Sequence, residues 1–136
     1  MELKGFVEGL HHVGIPTCDM AGTVRFYTDL GGEIIFEKDD VDEGRPIQVK
    51  LFRFHGMLIE CYERATTAGV AGAVDHLAFQ VHDIERMYAL CKEKGYRLME
   101  DCAEQIGYST YWPRGAQWFI VYGPNGEKIE FCRECE

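Results

Sequence analysis

No apolar run in the chain approaches the roughly 20 residues that cross a bilayer, so a helical membrane protein is not expected. The opening residues, Met-Glu-Leu-Lys-Gly-Phe-Val-Glu, show no basic start followed by a long apolar stretch. They read as no secretion signal, which makes the cytoplasm the expected compartment. Positive charge is scarce: 14 Lys and Arg stand against 23 Asp and Glu, for a net charge of −9, and the basic residues form no stripe. Such a surface repels a polyanion, so no nucleic-acid partner is expected. There is also no second close pair of cysteines to complete a zinc ribbon. Only Cys132 and Cys135 have metal-like spacing, a weak signal beside the simpler reading of a frayed C-terminal tail. All six cysteines (18, 61, 91, 102, 132, 135) are expected as thiols.

The remainder is ordinary globular composition, 46% hydrophobic and 27% charged over 136 residues. That length fits one domain, 1–136, able to bury about two-thirds of the surface its unfolded chain would expose. Within it lies a repeat. Leu10-His-His-Val-Gly-Ile-Pro-Thr-Cys-Asp19 and Val74-Asp-His-Leu-Ala-Phe-Gln-Val-His-Asp83 share a grammar at an offset of 64: His12 falls on His76, Asp19 on Asp83, Gly31 on Gly95.

Each copy begins as an alternating strand and reaches an Asp suited to cap a helix. Met20, Val24, Tyr27 and Leu30 recur at helical intervals in the first copy, and Ile84, Met87, Tyr88 and Cys91 in the second. These stripes are read as core. Gly31-Gly32 and Gly95 supply the helix stops. Three strand-like runs follow each helix: Glu33 to Glu37, Ile47 to Phe54 and Met57 to Tyr62, then Tyr96 to Glu100, Gln117 to Tyr122 and Glu127 to Cys132. Turns are expected at His55-Gly56 and at Gly123-Pro-Asn-Gly126. The reading is an α+β fold of two βαβββ modules, 8–64 and 74–134, joined by the small-residue linker Thr66 to Ala73. Two segments break the parallel. Asp39 to Pro46 is expected as an acidic loop. Cys102 to Ala116, with Tyr108, Tyr111, Trp112 and Arg114, is a longer one, read either as a lid or substrate wall or as cover for a sheet edge.

Strand parity places His12 with Gly14 and Pro16, opposite Val13 and Ile15, and His76 with Ala78 and Gln80, opposite Leu77, Phe79 and Val81. Parity likewise puts Glu60 with Leu58 and Tyr62, and Glu130 with Lys128 and Cys132. Each module thus offers one His and one Glu on its less apolar, concave face. A lone strand His is commonly structural and a lone strand Glu commonly solvated. Repetition of both at matching points favours a site in which His12, Glu60, His76 and Glu130 hold Ni²⁺, Zn²⁺, Co²⁺, Mn²⁺ or Fe²⁺. His11 competes with His12; the Val-Gly-Ile that follows His12 matches the Leu-Ala-Phe after His76. His55 and His82 read as surface residues.

His12-Val-Gly-Ile-Pro, Phe26-Tyr27, Leu58-Ile-Glu60, Asp75-His76-Leu-Ala-Phe and Gly123-Pro-Asn-Gly-Glu-Lys-Ile-Glu130-Phe resemble the vicinal oxygen chelate superfamily, and within it most closely glyoxalase I. The resemblance implies paired βαβββ modules forming a curved mixed sheet around a metal cleft, in many relatives as a homodimer. It also implies a His, Glu, His, Glu ligand set on His12, Glu60, His76 and Glu130, with Ni²⁺ or Zn²⁺ foremost. The implied reaction moves a proton between adjacent carbons of a 2-oxoaldehyde–thiol adduct through an enediolate, with Glu130 or Glu60 as the base and Glu130 slightly favoured. Glu60 departs from the two-His, one-Glu set of ring-cleaving dioxygenases and fosfomycin-resistance transferases. It departs also from the amide usual in methylmalonyl-CoA epimerases. An epimerase of that type, whose acyl-CoA phosphates would call on Lys50, Arg53 or Arg114, and a non-catalytic drug-binding protein like the bleomycin-resistance members are the competing readings.

Overall fold

The computed structural model describes residues 3–6, 8–72, 74–110 and 112–136. Ala73, the expected end of the linker, and Tyr111 of the long loop lie outside the described residues. The chain divides into two compact units, Met1–Thr67 and Ala68–Glu136.

In the first unit a short 3-10 turn, Leu3–Phe6, precedes strand β1 (Val13–Thr17), helix α1 (Met20–Asp29) and strands β2 (Glu33–Asp42), β3 (Arg45–Phe54) and β4 (Met57–Glu63). The sheet order is β1-β4-β3-β2, with β1 parallel to β4 and the other pairs antiparallel. The second unit repeats this with β5 (His76–Gln80), α2 (Ile84–Glu93), β6 (Arg97–Leu98), β7 (Gly107–Ser109), β8 (Ala116–Tyr122) and β9 (Lys128–Glu134). Its order is β5-β9-β8-β6, with β5 parallel to β9 and β7 pairing the same edge of β8. Both units are therefore βαβββ modules with mixed sheets, the second carrying one additional strand.

The helices start where the carboxylates dictate. Asp19 accepts from the Gly22 N–H at 2.9 Å and Asp83 from the Arg86 N–H at 3.0 Å, each satisfying an orphan donor of the first turn. They end on glycine: Gly31 and Gly95 have φ of 102° and 77°, and the following backbone N–H groups of Gly32 and Tyr96 return to Tyr27 and Cys91.

Each helix packs its apolar stripe on one sheet face. In the first module Tyr27, Phe52, Phe54, Ile59 and Cys61 are fully or almost fully buried; in the second, Tyr88, Cys91, Phe119, Val121 and Ile129 are. An edge-to-face ring pair anchors each core, Tyr27 on Phe54 at 5.2 Å and Tyr88 on Phe119 at 5.3 Å. Strand alternation leaves the opposite face more open, as parity requires.

Three expectations are corrected. Asp39 to Pro46 is not a loop: β2 and β3 continue in register to Asp42 and Arg45. Glu43 and Gly44 adopt φ of 50° and 75°, the two positive values that a tight type I′ turn demands, and ion pairs of Lys50 with Glu37 and Arg64 with Asp42 offset the acidic strand. Secondly, the strand expected over Tyr96 to Glu100 shrinks to Arg97–Leu98. Met99 N–H still donates to Ile120 O, but the chain then bends, and the carboxylate of Glu100 accepts the Ile120 N–H at 3.1 Å in place of a backbone carbonyl. Glu100 is only 7% exposed, and the Tyr88 hydroxyl donates to its carbonyl oxygen at 2.8 Å. Thirdly, the C-terminal cysteine pair is no frayed tail. Cys132 lies inside β9, and the Cys135 N–H donates to Gly115 O at 2.9 Å. All six cysteines are free thiols.

Candidate metal centre

The two modules place their His and Glu by the same register. In the first, His12 immediately precedes β1, two residues before Gly14, whose Cα partner on β4 is Glu60. In the second, His76 opens β5 two residues before Ala78, whose partner on β9 is Glu130. The parallel strands thus bring each imidazole beside a carboxylate. His12 Nε2 lies 3.6 Å from Glu60 Oε2, and His76 Nε2 lies 3.7 Å from Glu130 Oε1. Ile59, Cys61, Ile129 and Phe131, at the alternate positions, are buried on the other face.

Each imidazole is also held from behind. His76 Nδ1 is 2.9 Å from Asp75 Oδ2, and the other oxygen of Asp75 accepts from Lys128 Nζ at 3.2 Å. An Nδ1–H donated to Asp75 leaves the Nε2 lone pair facing Glu130, the arrangement in which a carboxylate fixes the tautomer of a metal-binding imidazole. These two bonds, from His76 first and Lys128 second, hold the Asp75 carboxyl below the usual carboxylate range. His12 Nδ1 contacts His11 Nδ1 at 2.8 Å, so the residue that competes with His12 in the sequence is its orienting partner in the structure. Asp75 was missed by sequence reasoning; its signal was an Asp directly before the His, whose own strand partner is Lys128.

Burial pushes the proton affinity of Glu130 above the ordinary carboxylate range; the neighbouring His76 opposes this and Glu100 adds to it. Its side chain is 19% exposed, against 38% for Glu60. Among the described residues no group of three or more His, Cys, Asp or Glu side chains stands close enough to hold a metal ion, so each module offers a pair. The donor chemistry of each pair fits a divalent ion. Two ligands at right angles, each about 2.1 Å from one ion, stand about 3.0 Å apart, so each pair would close on a cation by moving about two-thirds of an ångström.

Beside the second pair opens a hollow of about 680 Å³, whose lining includes His76, Glu130, Tyr108, Trp112, Trp118 and Ile120. The loop from Cys102 to Ala116 therefore does two things: β7 pairs the edge of β8, and Tyr108 and Trp112 wall the hollow. Arg114 is not in that wall. His55 and His82 are exposed, His55 Nε2 donating to the Leu30 carbonyl at the end of α1. Lys50 and Arg53, candidates for phosphate contacts, pair instead with Glu37 and Glu33.

Residues 9–131 match the model of the Glyoxalase/Bleomycin resistance protein/Dioxygenase superfamily, and the chain belongs to that superfamily. Among curated proteins it is 27% identical over 128 residues to the uncharacterized protein YwbC of Bacillus subtilis (strain 168), covering 90% of this chain and 94% of that protein. Solved structures share the fold. A glutamate-to-glutamine mutant of the fosfomycin resistance protein FosX of Listeria monocytogenes, complexed with Mn(II) and 1S,2S-dihydroxypropylphosphonic acid, aligns with a TM-score of 0.71 at 17% identity over 95% of this chain and 94% of that one. A glyoxalase family protein of Enterococcus faecalis aligns with a TM-score of 0.72 at 19% identity over 94% and 99%. The superfamily includes metal-binding enzymes. Among the described residues no helix is long and apolar enough to cross a membrane.

Proposed function

We propose that the chain is a metal-dependent lyase of the glyoxalase I type, cytoplasmic and homodimeric, that isomerises a small 2-oxoaldehyde–thiol adduct or related α-hydroxycarbonyl. The observation that carries this reading is the pair of His–Glu couples, 3.6 and 3.7 Å apart, at matching registers of a duplicated module. In it His12, Glu60, His76 and Glu130 together hold one divalent cation, Ni²⁺ or Zn²⁺ foremost, then Co²⁺, Mn²⁺ or Fe²⁺. A relative of this fold solved with Mn(II) and a molecule bearing adjacent hydroxyls supports the choice of ligand chemistry.

The cation, when bound, polarises the adjacent substrate oxygens and stabilises negative charge developing there. The protein moves the proton. Glu130 takes it from one carbon, the C–H electron pair flows toward the neighbouring carbonyl to give an enediolate, and the same carboxylate returns it to the adjacent carbon. The hydroxyl proton passes to the oxygen alongside, so atoms balance as an isomerisation. Glu130 suits this role better than Glu60 because it is the more buried, and burial raises its affinity for a proton. Glu60 is the alternative base.

The test combines metal uptake with proton exchange. Chelator-treated protein is titrated with Ni²⁺ or Zn²⁺, and exchange in deuterated water is followed with methylglyoxal plus thiols and with acyl-CoA esters. Tight uptake and exchange on the methylglyoxal adduct support the reading; exchange on acyl-CoA alone selects an epimerase. A protein that takes up no ion is instead a small-molecule binder, a reading favoured by the aromatic hollow, which does not itself require a metal.

A further inference from the structure

The hollow of the second module is walled by rings and poor in free positive charge. Trp112 and Tyr108 present 54% and 62% of their surface, and Met99 stands beside them at 39%. A Cβ at Gly107 would collide with the Trp118 ring and one at Gly115 with the Tyr108 hydroxyl, so glycine at these positions leaves room for both side chains. Gly115 also has φ of 78°, which reinforces the requirement. Among the described residues the charged lining consists of Asp75, Glu130, His76 and Lys128, and the single Lys is engaged by Asp75. No Arg among the described residues lines the hollow, and its one Lys already pairs with Asp75, so the lining holds no cluster of positive charge for a phosphonate, a phosphate or a peptide carboxylate. What the wall does offer is aromatic surface, with polar groups at one end.

We propose that this hollow takes an uncharged aryl group, stacked on Trp112 and Tyr108, attached to a carbon bearing adjacent oxygens that point at His76 and Glu130. The aryl end rests on the wall alone; the orientation of the oxygen end rests on the function proposed above. The physiological substrate is accordingly an aryl α-hydroxyketone or aryl 2-oxoaldehyde adduct in which the aromatic body, not an anionic carrier, supplies most of the affinity.

The protein's two tryptophans, Trp112 and Trp118, both line the hollow, so its intrinsic fluorescence reports occupancy. Titration calorimetry and tryptophan fluorescence on the full chain, with and without Ni²⁺, compare four probes. They are 2-hydroxyacetophenone, acetophenone without the second oxygen, hydroxyacetone without the ring, and S-methylglutathione as the anionic carrier. The expected result is binding of 2-hydroxyacetophenone at least tenfold tighter than of hydroxyacetone or S-methylglutathione. Trp112→Ala and Tyr108→Ala, both at exposed rings and each checked by its melting curve, should weaken the aryl probes about tenfold and leave hydroxyacetone unchanged. Equal, Trp112-dependent binding of both aryl probes, indifferent to Ni²⁺, supports the aryl site and speaks against the metal-directed orientation. Tighter binding of S-methylglutathione, or aryl binding untouched by both substitutions, overturns the proposal.

Discussion

The two modules agree in the register of their His–Glu pairs and differ in what surrounds them. The first lengthens β2 and β3 into a hairpin closed at Glu43-Gly44; the second cuts the equivalent strand to Arg97–Leu98 and places β7 and an aromatic loop at the same sheet edge. The His–Glu register is the same in both copies, while the second carries, among the described residues, the aromatic-walled hollow. Recognition chemistry can therefore diverge in one half without disturbing the ligand positions, because the ligands belong to the parallel strand pairs and the walls to the antiparallel edge.

The largest break in this equivalence is expected in turnover. Glu130→Gln should lower kcat by at least a thousandfold, the scale of general-base catalysis plus a lost ligand, whereas Glu60→Gln should act mainly on metal affinity. Steady-state rates at saturating metal separate the two, and equal loss of kcat in both would remove the assignment of Glu130 as base. For stability the modules should behave alike: Ile59→Ala and Ile129→Ala each remove a side chain with no exposed surface and should cost about 2–5 kcal/mol in urea unfolding. Asp75→Asn is expected to weaken metal binding about 10- to 100-fold, measured by competition with a chromophoric chelator, by loosening the hold on His76. Asp19→Ala and Asp83→Ala should each cost about 1 kcal/mol, and a large difference between them would show that one cap has a tertiary role.

The smallest effect is chemical. Burial pushes the Cys91 thiol up to about 11, so the folded state favours the neutral thiol. Any stability this gives is present below the unfolded thiol value of about 8.5 and fades as pH rises toward 11. Brief alkylation at pH 8 should label exposed Cys18 and spare Cys91 until denaturant is added, as peptide mass mapping would read.

Much of this was legible because it is local. Asp19 and Asp83 announce the caps, Gly31 and Gly95 the stops, and period-two alternation places Glu60 and Glu130 on the face opposite Ile59 and Ile129. The misreadings were not local. The acidic run from Asp39 looked like a loop because its countercharges come from elsewhere in the module, Lys50 from β3 and Arg64 from just beyond the end of β4. Glu100 looked like an ordinary strand end because nothing in its neighbourhood says that its carboxylate will replace a main-chain acceptor. Asp75 was overlooked because its service to His76 depends on a position just outside the strand, where alternation no longer governs direction.

Glu100 has a further effect on how this molecule meets its neighbours. An unpaired sheet margin is a template onto which another polypeptide can add itself, and long ones seed aggregation. Along the outer margin of β8 the donor at Ile120 is already occupied by a side chain, between the short stretches covered by β6 and β7. A stray strand arriving there finds no continuous row of hydrogen-bonding groups to copy, because the carboxylate closes the gap that β6 and β7 leave.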